Sequence, residues 1–394
     1  MISYAEALSI IAGITPLSAS ESVPLASAHG RILSHPVHAP IDHPPFTNSA
    51  MDGYAFHHAS FGQGSLPVAG TVYAALGDQS LDFDATRACV RVMTGAPLPA
   101  GTDTVIPVEH TSIEADGRIG LRALPELGAN VRHRGADIAQ GTELFSGGTY
   151  LTPEAILVAA SFGLGQLDVR AQPRIALYST GDELVSPGQA LPEGGVYNST
   201  RFFLGAALAN LGLKVSEYQE FRDEPGVAAP QIMAFAEKGP ALIITTGAVS
   251  AGERDFIPSL AQDLGFDTLF HKVAVRPGKP IFLARRQETL WVGIPGNPIS
   301  TATSWHFFLR PLLTQWLGLH GTEKVMIPVA YDVTKPKDFT CFYRSMVENG
   351  QASVFRDQGS ANLLASLRAN AYIELPEGID VIPRGSPCPA TRLT

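Results

Sequence analysis

The feature that most constrains this chain is a regular alternation between residues 173 and 318. Strand-like runs ("RIALYST", "LKVSEYQEF", "ALIITTGAVSAG", "TLFHKVAV", "TLWVGIPGNP") are separated by stretches with helical composition ("STRFFLGAALANLG", "PGVAAPQIMAFAEKG", "RDFIPSLAQDLG", "ISTATSWHFFLRPLLTQWLG"). Apart from the more polar "LKVSEYQEF", the runs are apolar rather than alternating, which means strands covered on both faces. Strand and helix taking turns predicts a mostly parallel, three-layer α/β domain from Pro173 to Gly318. Pro230 must then fall in the first turn of its helix.

The flanks differ from this core. "MISYAEALSIIAG" predicts a helix capped by the Ser3–Glu6 box, with Tyr4, Ala7, Leu8 and Ile11 on one face and Gly13 at its end. A second helix, "TPEAILVAASFG", has Thr152 as cap, Pro153 at its first position and Gly163 as its stop. Short strand-like runs between them, including "RILSHPVHA" and Ala88 to Met93, indicate a β-rich insertion. The expected architecture is α/β multidomain: a discontinuous first domain (1–45 and 138–172), an inserted β-rich domain (46–137), the α/β domain (173–318) and a C-terminal β domain (319–394). At 394 residues and 45% apolar composition, the chain can bury several cores.

Composition also excludes function classes. A net charge of −9 argues against a general nucleic-acid binder, so any anionic ligand needs local positive charge. Cys89, Cys341 and Cys388 are too scattered for a disulfide framework or a structural zinc site. The adjacent His57 and His58 suit no metal face. No apolar run reaches the length of a membrane span, and the N-terminus lacks a basic targeting region, so a cytoplasmic protein is expected.

In an open parallel sheet, ligands bind beyond the carboxyl ends of the strands. There "STGDELV" places Asp182 and Glu183, and "FRDEP" places Asp223. "TTGAVSAGERD" places Gly247, Ser250 and Asp255. "VRPGKP" and "GIPGNPIS" add Arg276, Lys279, Gly296, Asn297 and Ser300. Taken singly, such acids serve as helix caps and such glycines as turns. Gathered on one edge, the acids would repel one another unless a cation or proton sat among them. Oxygen donors favour Mg²⁺, and backbone N–H groups beside Arg276 and Lys279 suit a phosphate. The expected ligand is therefore phosphorylated and bound with magnesium. A second cluster lies earlier: Asp52 in the proline-flanked "FTNSAMDGYAF", Thr94 in "MTGAPLPAG", and Arg132, Arg134 and Asp137 in "NVRHRGAD". A surface connector and a solvated charged loop remain open readings of these segments.

Seven motifs in order, "NSAMDGYA", "MTGAPLP", "NVRxRGxD", "STGDEL", "TTGxVSxGERD", "RPGKP" and "GIPGNP", closely resemble the molybdopterin molybdenumtransferase family (MoeA-like, and the E domain of gephyrin). The resemblance runs nearly to the C-terminus, through "GSANLLASLRANAYIELPEG". It implies a homodimer whose active site joins the α/β domain of one subunit to the inserted domain of the other. The implied reaction takes adenylylated molybdopterin and molybdate, requires Mg²⁺ and releases AMP. The substrate brings its own two sulfur ligands, so no cysteine cluster is needed. The family's catalytic positions would be Asp52, Asp137, Glu183, Asp223, Asp255 and Lys279. Asp182, Glu183, Asp223 and Asp255 would hold the metal or its waters. Substrate binding would fall to Thr94, Arg132, Arg134, Ser179, Thr180, Gly181, Gly247, Ser250, Arg276, Pro295, Gly296 and Asn297. The pathway's adenylyltransferase is a further expected partner.

Four positions depart from the family pattern. Asn198 stands where many members have an acid, Ala136 replaces a glutamate, Ala248 replaces the second glycine of "TTGGVS", and Arg276 replaces a common lysine. Alternative readings are a molybdopterin-binding scaffold without turnover and the adenylyltransferase itself. Molybdate and tungstate are indistinguishable at this level.

Overall fold

The computed structural model describes the chain except residues 78, 223, 240, 250–255, 320, 322, 360–361 and 394, and the side chains of 61–63. Two compact units are present: Met1–Ser34 with Tyr150–Thr152 and Gln166–Thr394, and His35–Thr149 with Pro153–Gly165.

The first unit is built on a six-stranded sheet: β1 (Arg174–Thr180), β2 (Val215–Phe221), β3 (Ala241–Thr246), β4 (Asp267–His271), β5 (Phe282–Arg286) and β6 (Thr289–Ile294). The order is β2-β1-β3-β6-β5-β4. The first four strands run parallel; β5 is antiparallel to both its neighbours. Side chains along a strand alternate between faces. Ile175, Leu177, Leu242 and Ile244 thus join Leu204 and Leu208 and the Trp305–Leu317 region in one core. Ala176, Tyr178, Ile243 and Trp291 join Ala228, Ile232 and Ile257 in the other. Both faces are covered, as the unbroken apolar runs required.

Several details differ from the expectation. Pro230 lies inside the helix Pro225–Ala236 rather than in its first turn. The amide it lacks would have met the carbonyl of Gly226, an exposed residue near the helix start, so little is lost. "TLFHKVAV" is broken after His271 by Lys272 at φ 65°, and its end, Val275–Arg276, pairs instead with Thr340–Glu348. β5, Phe282–Arg286, is a strand beyond those expected from the sequence. The expected long closing helix contains a π turn, Trp305–Leu309, between Pro298–Ser304 and Arg310–Leu317. Pro311 has no amide to offer the carbonyl of Phe307, and the Tyr4 hydroxyl lies 3.5 Å from that oxygen. The N-terminal helix Tyr4–Ala12 carries the expected capping box and sets the Tyr4 ring edge-on to Phe307, Phe308 and Phe342.

Strand Ser20–Pro24 pairs with Gln166–Arg170, bringing distant parts of the chain back together. The C-terminal residues form a further sheet through Val325–Pro328, Thr340–Glu348, Ala371–Leu375 and Pro387–Arg392, with a short helix at Leu363–Arg368. Among the described residues, no helix is long and apolar enough to cross a membrane. The architecture is α/β multidomain with a mostly parallel central sheet.

The second unit contains a four-stranded sheet ordered Val68–Val72, Cys89–Val92, Gly53–Phe56, Thr104–Pro107. One of its two inner strands, Gly53–Phe56, begins immediately after Asp52. At Gly53 a Cβ would stand 2.1 Å from the Ile106 carbonyl oxygen. Gly53→Ala should therefore force the two strands apart and lower the stability of this unit by about 2–3 kcal/mol, as overpacking does elsewhere. Denaturant melts of the purified variant check this; a wild-type midpoint would refute it.

Candidate functional site

β1, β3 and β6 end side by side, and the loops that follow enclose a cavity of about 190 Å³. Its floor is backbone. Gly247, at φ 92°, approaches the end of β1 so closely that a Cβ would lie 2.6 Å from both the carbonyl oxygen and the hydroxyl of Thr180. Gly296 lies against Gly247 in turn, with 3.5 Å between the position of a Cβ and the Gly247 Cα. Glycine is demanded here by proximity as well as by torsion. Thr180 donates to the Thr246 carbonyl at 3.2 Å, and Thr246 to Ser179 Oγ at 3.2 Å.

Among the described residues, one acid lines the cavity. Glu183 folds its carboxylate over Gly181, within 3.0 Å of where a Cβ would be. Asp182 is exposed beside it. The facing wall is Val196–Thr200, laced to the Glu183 segment by Val196 N–H to the Glu183 carbonyl (2.8 Å) and Asn198 N–H to the Val185 carbonyl (2.9 Å). Asn297 uses its side-chain oxygen to cap the helix Pro298–Ser304, accepting from the amides of Ile299 and Ser300. Pro295 is buried and accepts from the Thr301 hydroxyl at 2.8 Å.

Arg276 and Lys279 do not line this cavity. Both sit over the ring of Phe339, at 5.0 and 5.9 Å from its centroid. Between them Gly278, at φ 99°, comes close enough to Ser304 that a Cβ there would lie 3.2 Å from its Oγ. Asp223, Ser250 and Asp255 lie outside the described residues. Among the described residues no three His, Cys, Asp or Glu side chains form a metal cluster. Glu183 with the hydroxyl-bearing Thr180, Ser199 and Thr200 nonetheless gives an oxygen-only donor set. Mg²⁺ is held by one or two carboxylates, retained water and substrate phosphate, so these residues fit it.

In the second unit, three motifs meet around Ser49, which is fully buried. Ser49 exchanges backbone bonds with Gly95 and Ala96, and Asn48–Ser49 pairs with Val131–Arg132. Asp52 Oδ1 accepts from the Thr94 amide at 2.6 Å and the Thr94 hydroxyl at 2.7 Å. These bonds, the amide first, hold its carboxyl below the usual range, with a smaller contribution from Arg91. Arg132 is exposed on its short strand. Arg134 is bound to Asp42 at 2.6 Å. Asp137 lies 3.3 Å from His43 Nδ1.

Sequence reasoning passed over Tyr197, Ser199 and Thr200 in the cavity wall, and the neighbouring Tyr218 and Glu220. The signal available was "YNST", where Asn198 caps a helix and so places the two following hydroxyl residues at the strand ends.

Family models match almost the whole chain: "MoeA N-terminal region (domain I and II)" over residues 2–163, "Probable molybdopterin binding domain" over 176–315, and "MoeA C-terminal region (domain IV)" over 327–393. A molybdopterin molybdenumtransferase from Synechococcus elongatus is 36% identical across 98% of both chains. One from Haemophilus influenzae is 32% identical across 91% of this chain and 90% of its own. A solved molybdopterin biosynthesis MoeA protein from Pyrococcus horikoshii superposes with a TM-score of 0.83 at 25% identity, over 100% of this chain and 99% of that one.

Ala248 sits at φ 50°, where a Cβ costs about 1–2 kcal/mol. Ala248→Gly removes that strain at some expense in unfolded-state entropy, for a net stabilisation of about 0.5–1 kcal/mol in denaturant melts; destabilisation would contradict it. Thr94→Val removes one donor to Asp52 and keeps the amide. With a folded value below the ordinary 3.8, the Asp52 contribution is complete above that value and disappears as pH falls through the lowered one. In the variant the carboxyl should titrate closer to 3.8, as NMR would show; an unchanged titration would deny the hydroxyl any part.

Proposed function

This chain belongs to the molybdopterin molybdenumtransferase (MoeA) family, and on that premise we propose that it uses adenylylated molybdopterin and molybdate, releasing AMP as molybdenum is transferred. It is a transferase of molybdenum cofactor biosynthesis that inserts molybdenum into molybdopterin. The observation that carries the finer reading is the convergence of Thr180, Gly247 and Gly296 on a cavity with a single described carboxylate, Glu183.

Backbone brought this close without side chains lets a phosphate or a flat pterin approach N–H groups directly. Glu183, with Asp182, Asp223 and Asp255 as the remaining acids, would hold Mg²⁺ or its waters. When bound, Mg²⁺ supplies positive charge for the phosphate oxygens of the anhydride. Ser179 and Thr180 at the end of β1 with Gly181 just beyond it, and Pro295, Gly296 and Asn297 just beyond β6, would bind the substrate. Ser250 would contribute a neutral hydrogen bond. Arg276 and Lys279 would receive molybdate, and Lys279 orients it for transfer.

The site is completed, in this reading, by a second subunit of a cytoplasmic homodimer. Asp52, set by Thr94, would reach the partner's cavity with Asp137 as a second acid and with Arg132 and Arg134 as anion contacts. Support comes from the local order around Ser49, which sets the segments carrying Asp52, Thr94 and Arg132 side by side. Arg132 suits the anion better than Arg134, whose guanidinium already holds Asp42.

The test is AMP release from adenylylated molybdopterin by the purified protein with Mg²⁺, with molybdate present or omitted. Molybdate-dependent release is expected, falling at least about 100-fold in Glu183→Gln. Mixed dimers of Asp52→Ala and Glu183→Ala subunits should recover one working site. Binding without release would make the protein a scaffold, and full activity in both single variants would move the chemistry elsewhere.

A further inference from the structure

Asn198 is only 1% exposed, although it lines the cavity. Its amide is fully used. Nδ2 donates to Glu220 Oε1 at 2.9 Å and to the Tyr218 hydroxyl at 3.0 Å; Oδ1 accepts from the Thr200 hydroxyl at 3.1 Å and the Arg201 amide at 3.3 Å. The Tyr218 hydroxyl donates to the same Glu220 oxygen. Glu220 stands opposite Ser179 in the β1/β2 register, one residue short of Thr180, so its carboxylate sits at the rim of the sheet beside the cavity wall.

Position 198 is where the resemblance expects an acid. Here the acid is present, but it comes from β2 and lies across the amide. Resting on the molybdopterin-binding reading above, we propose that Asn198 and Glu220 form a positioning pair: the amide fixes the Val196–Thr200 wall, and the negative charge of this corner is carried at 220 instead of 198. The wall acts through Glu183, because Asn198 and Val196 are bonded to the backbone on either side of Leu184. A shift of Asn198 therefore shifts the carboxylate that faces the ligand.

The pair has a charge logic that a packing role lacks. An aspartate at 198 would bring two carboxylates to 2.9 Å, where they cannot both ionise without strong repulsion. Exchanging amide and acid keeps one charge and one donor. Among the described residues, the other ionisable groups around the pair are Tyr218, Arg201, whose guanidinium stacks 3.3 Å from the Tyr218 ring centroid, and Glu183 in the cavity lining. Each is the same in all the variants below.

The experiment compares wild type, Asn198→Asp, Glu220→Gln and the exchanged double variant Asn198→Asp/Glu220→Gln. Equilibrium binding of adenylylated molybdopterin and the melting temperature are measured from pH 5 to pH 8. Asn198→Asp should bind about 10-fold more weakly than wild type at pH 8, and both its affinity and its melting temperature should approach wild type towards pH 5. The exchanged variant should bind within about 3-fold of wild type across the range, since one charge and one donor remain. Asn198→Asp indistinguishable from wild type at pH 8, or an exchanged variant no better than Asn198→Asp, would overturn the pairing. Should Asn198→Asp fail to fold, the exchanged variant alone decides: recovery supports the pair and failure removes it. Absence of binding by wild type would instead sink the molybdopterin reading, while the melting temperatures still report on the pair.

Discussion

The geometry of the site depends on one close approach, that of the Gly247 backbone to the end of β1. No side chain fits between Gly247 and Thr180, so β1 and β3 finish with their backbones in contact and the loops beyond them must spread outward. That spread is the cavity. The strands can end this tightly because their last polar groups satisfy one another: Thr180 with the Thr246 carbonyl, Thr246 with Ser179, and Trp291 Nε1 with the Thr245 hydroxyl at 3.1 Å. Buried hydroxyls without partners would weaken the edge; mutually bonded ones stiffen it. A consequence is that Ser179 and Thr180 already spend hydrogen bonds on the floor, leaving backbone groups, Glu183 and the Val196–Thr200 wall as the groups that face the cavity.

The second unit reaches local order by a different route. There the hub is a strand of two residues, Asn48–Ser49, bonded on one side to the "MTGAPLP" segment and on the other to Val131–Arg132. Asp52 emerges from it and is fastened by Thr94, while Gly53 allows the following strand to press against Ile106. The proline-flanked stretch is therefore no loose connector: each residue from Asn48 to Gly53 has a backbone or side-chain bond, or a close contact, that sets its place.

How much of this was legible in the sequence varied with the range of the interaction. The doubly covered sheet was legible because unbroken apolar strands leave no other arrangement, and the N-terminal capping box because its two partners are three residues apart. β5 escaped notice because "IFLARR" ends in two arginines and is followed by a turn at Gln287 with φ 53°, so that it resembled a loop. Glu183, Gly247 and Gly296 were found by the rule that ligands gather beyond strand ends. Contacts between distant positions were not accessible in that way. Nothing local to "NVRHRGAD" reveals that Arg134 is occupied by Asp42, 92 residues earlier, and nothing in "YNST" reveals that Glu220 waits across the amide.

This distinction between occupied and available charge bears on how an acidic chain can receive an anion. A cation bonded to a carboxylate presents little net field. That is the condition of Arg134 with Asp42, Arg31 with Glu21, and Lys324 with Glu374. Arg276 and Lys279 are held differently, over the face of Phe339, and among the described residues neither meets a carboxylate. An aromatic ring orients a cation through its quadrupole without cancelling the charge. In a protein of net charge −9, two cations fixed by a ring keep their positive potential for an incoming oxyanion, where two fixed by acids would not. The ring belongs to the C-terminal part of the chain and the cations to the β4–β5 connection. The short pairing of Val275–Arg276 with Thr340–Cys341 is what brings them together. On the proposed reading, the C-terminal part of the chain thus supplies, through Phe339, the surface on which the two candidate anion-receiving side chains are poised.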